Sequence, residues 1–177
     1  MTTAGAELQY RNILNVEQNL FVTLSSKSFS KFASLGEDFG TPLECAETWR
    51  QKYLGEFVST RLGIKRDARV VAASKRTNSN DFDREFYDFL INIDSYAARN
   101  QYGISSSDRP QTKEWDRYFL TTVGIQGQQL FELRLQCNKE DYEKDREELL
   151  GILHSFELHA TEFPEKQNAL RGRKAGK

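Results

Sequence analysis

The sequence predicts an α+β domain: an antiparallel sheet with helices packed on it. Three observations carry that reading. Residues 85–96 alternate, with Tyr87, Phe89, Ile91 and Ile93 on one side and Asp88, Asn92 and Asp94 on the other. Phe131, Leu133 and Leu135 likewise alternate with Glu132, Arg134 and Gln136. Thr41-Pro-Leu-Glu44 forms a capping box with Pro at the first helical position, followed by apolar residues at helical spacing. The chain has 177 residues, 38% of them hydrophobic and 12% aromatic, which suits one domain with a real core rather than a disordered chain.

In chain order, Leu20-Phe-Val-Thr-Leu24 is a short strand with Leu20, Val22 and Leu24 on one face. The capped helix carries an apolar stripe of Leu43, Ala46, Trp49, Tyr53 and Phe57 and stops before Gly63. A strand at 69–74 leads through a polar turn into the alternating strand at 85–96, whose pattern predicts one face on the core and one toward water. After a long polar segment, 97–114, Tyr118 to Ile125 and Leu130 to Cys137 pair across a turn at Gln126-Gly127-Gln128. The last helix starts at Asn138, has an acidic first turn, and buries Tyr142, Leu149, Ile152, Leu153 and Phe156. Beyond Phe163 the chain is polar and basic. The order is strand, helix, four strands, helix.

Charge narrows the partners. Lys and Arg total 25 against 26 Asp and Glu, so the basic footprint of a nucleic-acid binder is missing. No apolar run is long enough to span a bilayer. Met1-Thr-Thr-Ala-Gly-Ala-Glu reads as no secretory signal, and as too short for a transit peptide.

No catalytic motif stands out: there is no phosphate-binding Gly-Lys loop, GxGxxG or GxSxG. His154 and His159 are five apart, off the spacing of a helical metal pair, and no metal site is expected. Asp81, Asp83, Glu85 and Asp88 read as a solvated charged turn or a calcium-binding cluster without EF-hand spacing. Cys45 and Cys137 read as buried free thiols or as a pair. Two constellations point to binding. Arg61, Lys65 and Arg66, with Arg69, Lys75 and Arg76 behind them, are either a solvated charge run or an electrostatic docking patch. Tyr102, Arg109 and Trp115 belong to a long segment that is either a contact surface or an insertion, with Trp115 covering the sheet edge.

Taken in order, Asn19-Leu-Phe-Val-Thr-Leu-Ser-Ser26, Gly40-Thr-Pro-Leu-Glu-Cys-Ala-Glu47, Phe86-Tyr-Asp-Phe89, Thr122 to Phe131 and the Ser155-Phe156 ending resemble the PsbP family. The family pieces they match are an NxxV strand, an LGxPEEVAE helix start, a YYxFEY strand and a terminal hairpin and helix. The likeness runs from Asn19 to Leu158 and is nearer to the divergent PsbP domain-containing proteins than to the oxygen-evolving subunit. It implies an α-β-α sandwich (PsbP/Mog1-like) around an antiparallel sheet. It also implies a non-enzymatic auxiliary or extrinsic protein, peripheral to a photosystem or other thylakoid membrane complex in the chloroplast thylakoid lumen. Many relatives carry a His near the strand that here begins Arg117-Tyr118-Phe119, so no family metal ligand carries over. No cofactor is expected beyond the weak calcium association that the resemblance implies.

The resemblance divides the chain into an N-terminal extension at 1–18, a PsbP-like domain at 19–160 and a flexible basic tail at 161–177. In this reading the family's N-terminal hairpin is missing, which leaves an unpaired sheet edge for a partner or second copy to cover. The expected contact residues are Arg61, Lys65, Arg66, Tyr102, Arg109 and Trp115, chosen by residue type. The alternatives are a Mog1-like GTPase-binding protein, and a small-molecule carrier or enzyme with a pocket between sheet and helix.

Overall fold

The computed structural model describes residues 6–15, 17–25, 32–57, 64–78, 84–98 and 111–159. Among the described residues nine elements follow in order. They are β1 (Ala6–Arg11), β2 (Asn19–Ser25), α1 (Leu35–Phe39), α2 (Pro42–Glu56), β3 (Ile64–Asn78), β4 (Arg84–Ala98), β5 (Gln111–Gln126), β6 (Gln129–Asn138) and α3 (Lys139–His154). The strands form one six-stranded sheet in the order β1-β2-β6-β5-β4-β3, antiparallel throughout. Helices α1 and α2 pack on β3 and β4, and α3 packs on β5 and β6. With period-two strands, odd residues of β4 and β5 face α2 and even ones face α3. The two faces therefore hold separate cores. Trp49, Tyr53, Phe89, Ile91, Ile93, Phe119 and Val123 lie under α2. Tyr118, Leu120, Leu133, Leu135, Cys137, Leu149 and Leu153 lie under α3. Each such side chain contributes roughly 1.5–3 kcal/mol by leaving water.

Local chemistry explains the boundaries. The Thr41 hydroxyl accepts from the Glu44 amide, and the Glu44 carboxylate accepts from the Thr41 amide, which is the capping box read from the sequence. The β5–β6 turn places Gly127 and Gln128 at φ 57° and 68°, the pair of positive angles a tight hairpin needs. Asn138 caps α3 with extended backbone, although its side chain makes no capping hydrogen bond.

The structure corrects several expectations. The N-terminal hairpin is present: β1 pairs with β2 in antiparallel register, Tyr10 opposite Leu20 and Arg11 opposite Asn19. The sheet thus reaches into the stretch read as an extension. The β2 edge expected to be open is filled by β1. Sequence reading missed this strand because Leu8-Gln-Tyr-Arg11 is short and its apolar residues stay exposed, Leu8 at 45% and Tyr10 at 62%. The even face of β4 does not meet water either: Asp88, Asn92 and Asp94 are 5%, 1% and 9% exposed, Asp88 set against Arg76 and Thr122, Asn92 against Asp116 and Asp94 against Lys113. In α2 the buried stripe runs through Cys45, Ala46, Trp49 and Tyr53, which turns Leu43 outward at 57% exposure. Helix α1 was not expected. Strand β3 begins at Ile64, so Lys65 and Arg66 sit on a strand rather than in a connection. Trp115 covers no sheet edge, since β5 runs between β6 and β4. Cys45 and Cys137 are free thiols buried in opposite cores.

Candidate docking surface

Between α2 and the sheet sits a buried ionic network. The Tyr53 hydroxyl donates to Glu132 Oε1 at 2.7 Å and lies 2.9 Å from Thr121 Oγ1. Lys52 Nζ reaches Glu132 Oε2 at 2.6 Å from the solvent side. The Arg134 guanidinium stacks over the Tyr53 and Phe21 rings at 4.8 and 4.9 Å and bonds Glu56 at 2.7 Å. Burial pushes the Glu132 carboxyl upward, but Lys52, Tyr53 and Arg134 outweigh it and hold it below its ordinary value. Burial, followed by the Glu132 charge, raises the Tyr53 phenol well above its own. The network is a tie between layers: its space is filled, with Tyr53 at 0% and Glu132 at 3% exposure.

A second network lies on the α3 face. Arg76 Nε donates to Asp88 Oδ2 at 2.9 Å, and Thr122 bonds the other oxygen. The Arg76 guanidinium also covers the Phe86 ring at 4.6 Å. His154 Nε2 is 3.9 Å from Asp88 Oδ2 and His159 Nε2 is 3.6 Å from Glu157. Among the described residues no group of three or more His, Cys, Asp or Glu is placed to hold a metal ion. Of the acids read as a turn or calcium cluster, Asp81 and Asp83 lie outside the described residues; Glu85 pairs with Lys75 and Asp88 with Arg76.

The surface features converge at one end of the sheet, where β3 and β5 begin and β4 ends. Trp115 lies between two guanidinium groups, Arg66 at 5.8 Å and Arg117 at 4.7 Å, with the Phe57 ring 5.6 Å away. Arg117 also reaches Glu17 at 3.2 Å. Beside them Lys113 bridges Asp116 at 2.8 Å and Asp94 at 3.0 Å. The hydrogen bonds that Lys113 donates to Asp116 and Asp94 raise its ammonium above the ordinary value. A concavity of about 380 Å³ opens there, walled by Glu17, Lys113, Trp115, Asp116 and Lys139. Arg and Trp are favoured contact residues, and mixed charge at a rim directs a partner's register.

Of the contact residues expected from sequence, the structure brings Arg66 and Trp115 together. Lys65 lies on the opposite face of β3, 59% exposed and 2.9 Å from Asp67. Arg66 is half-buried, its cation over the Phe57 and Trp115 rings, so it serves packing as much as charge. Arg61, Tyr102 and Arg109 lie outside the described residues. Sequence reasoning did not single out Lys113, Asp116 or Arg117: Lys113 lay in the segment read as polar, 97–114, and Asp116 and Arg117 at the start of the strand that follows. The Trp115-Asp-Arg117 triplet at a strand start was the available signal.

The fold is a two-faced α-β-α arrangement with charged and aromatic side chains gathered at one end of its sheet. The chain belongs to the PsbP family, whose model matches residues 1–158. It is 35% identical over 155 residues to PsbP domain-containing protein 1, chloroplastic, of Arabidopsis thaliana, covering 88% of this chain and 53% of that protein. The chain thus spans about half the length of the curated relative it matches. In structure it is similar to cyanobacterial PsbP (CyanoP) from Synechocystis sp. PCC 6803, with a TM-score of 0.61 at 15% identity over 90% of this chain and 79% of that one. At that identity the likeness concerns the fold.

Proposed function

We propose that the chain is a non-enzymatic auxiliary protein of a photosynthetic membrane complex, serving photosystem II or photosystem assembly from the thylakoid lumen of the chloroplast. The observation that carries this reading is the PsbP match across 1–158, supported by the identity to a chloroplastic relative. No described helix is long and apolar enough to cross a membrane, which agrees with peripheral attachment.

Docking uses the sheet end and the basic edge strand. β3 ends the sheet and carries Lys65, Arg69 and Lys75 as exposed residues on a strand bent by a bulge after Val70. Such an edge resists pairing with another strand, and Arg69 offers positive charge to an acidic partner, with Lys65 and Lys75 exchangeable from Asp67 and Glu85. Trp115 and Arg66 form the contact beside it, and Arg61, Tyr102 and Arg109 are proposed as further contact residues from residue type alone. Association kinetics with isolated thylakoid membranes test this assignment. Replacing Lys65 and Arg69 by Ala slows association and flattens its salt dependence, with stability unchanged. An on-rate equal to the wild type at every salt concentration removes the basic edge from the interface.

A further inference from the structure

At the sheet end β5 changes register beside Trp115. Ser95 of β4 stands opposite Trp115, but Tyr96 stands opposite Lys113, so Glu114 is one extra residue in β5. A bulge of this kind bends the strand and re-aims the side chains around it. Lys113 and Trp115 are two apart and would share a face in a regular strand. The extra residue turns Lys113 to the other face, where its Nζ meets Asp94 at 3.0 Å and Asp116 at 2.8 Å.

Those two acids are an unfavourable pair. Asp94 stands directly opposite Asp116 in the β4–β5 register and is 9% exposed. Like charges facing each other across a ladder push its strands apart. The Lys113 ammonium is the cation that bridges both. The neighbouring cations are engaged elsewhere, Arg117 with Glu17 and Lys139 with Glu143. Asn92 adds a neutral tie, donating to Asp116 Oδ1 at 2.6 Å and to the Arg117 carbonyl at 3.1 Å.

The same stretch carries the indole on its opposite face. Trp115 lies between Glu114, whose carboxylate accepts from Ser95 Oγ at 3.3 Å, and Asp116, which Lys113 holds. Its backbone is thus pinned on both sides. Arg66, Ser95 and Trp115 form one row across β3, β4 and β5. Ser95 is small and fully buried, so the Arg66 guanidinium passes over it to the indole at 5.8 Å. If the facing acids splay the strand end, the indole leaves Arg66, Arg117 and Phe57.

We propose that Lys113 is a positioning residue of the docking surface: its bridge over the Asp94–Asp116 pair holds the β5 bulge in the register that presents Trp115 to the membrane complex. This role rests on the docking function given to Trp115 above, and Lys113 acts through Trp115 rather than by touching the partner.

Acrylamide quenching of tryptophan emission in the full chain tests it, because the other tryptophan, Trp49, is 3% exposed and contributes little. Lys113→Met keeps the length of the side chain and removes its charge. The expected result is stronger quenching, a red-shifted emission and association with isolated thylakoid membranes slowed roughly threefold. Lys113→Arg restores all three, and so does Lys113→Met combined with Asp94→Asn, which removes the facing charges. A lowered melting midpoint with unchanged quenching is the mark of a merely stabilising bridge and overturns the proposal. Trp115→Ala separates this role from the docking surface itself. If that variant slows association and Lys113→Met does not, the positioning role is wrong and the surface stands. If Trp115→Ala associates as the wild type does, Trp115 is not the contact, and the positioning role falls with it.

Discussion

Tyr53 of α2 donates its hydroxyl to Glu132 of β6 across 2.7 Å, joining the helical layer to the sheet through an acid that is 3% exposed. The two residues are 79 apart in sequence, and Thr121 and Lys52 complete the arrangement. A buried carboxylate is tolerable here because Lys52 and Tyr53 of α2 bond it and Arg134 of β6 adds a second cation.

Removing the tie therefore destabilises the fold by an amount that depends on which partner goes. Tyr53→Phe keeps the ring and deletes the hydroxyl, and costs about 1–3 kcal/mol. Glu132→Ala leaves the Tyr53 hydroxyl and the Lys52 ammonium without their acceptor and the neighbouring Arg134 without its counter-charge, and costs about 3–5 kcal/mol. Denaturant unfolding of the two variants measures both, and equal, near-zero effects refute the role assigned to the tie.

The same residue sets a pH dependence. The Glu132 carboxyl is held below its ordinary value when folded, since Lys52, Tyr53 and Arg134 outweigh its burial. The stability it contributes is thus fully present above the ordinary Glu value of about 4.3 and is lost as pH falls through the lower folded value. Asp116 adds a loss of the same sign: burial raises it, but Lys113 and Asn92 outweigh that and lower it. Glu132→Gln, which cannot titrate, flattens the acid limb of a plot of stability against pH. An unchanged slope assigns the acid sensitivity elsewhere.

Both thiols are protected. Burial, with the nearby Glu132 charge, pushes Cys45 up to about 12, and burial with Asp141 and Asp145 does the same for Cys137. Neither reacts with a thiol reagent at neutral pH while the chain is folded, and both react in denaturant without reductant. A thiol titrating rapidly in the native protein contradicts the packing described.

Gly124 is fixed by its neighbours. A Cβ there would lie 2.8 Å from the Phe86 ring and 3.0 Å from Leu158. The Phe86 ring has little room to give, with Arg76 over it at 4.6 Å and Phe156 at 6.2 Å. Gly124→Ala therefore costs about 1–3 kcal/mol, read from the unfolding midpoint. A neutral substitution shows that the ring moves freely.

β4, β6 and both long helices were legible because each carries a period, and α2 a cap as well; β3 was read only at 69–74 of Ile64–Asn78. What escaped was of two kinds. β1 has too few residues to show alternation, and its apolar side chains stay in water. The buried polar residues escaped because alternation equates polar with exposed: Asp88, Asn92 and Glu132 read as a solvent face, yet helices on both sides of the sheet bury them with partners far away in sequence. At the docking surface, Arg66 and Trp115 were found by residue type. Their stacking, and the neighbouring Lys113–Asp116 bridge, depend on a register that one strand's sequence does not contain.

The auxiliary role is tested most directly by a pull-down with the tagged, folded chain from detergent-solubilised thylakoids, washed at low and high salt and read by mass spectrometry. The account predicts photosystem subunits at low salt that are lost at high salt, and less of them with the Lys65→Ala, Arg69→Ala variant. A folded chain that retains no photosystem or photosystem-assembly component at either salt concentration contradicts it.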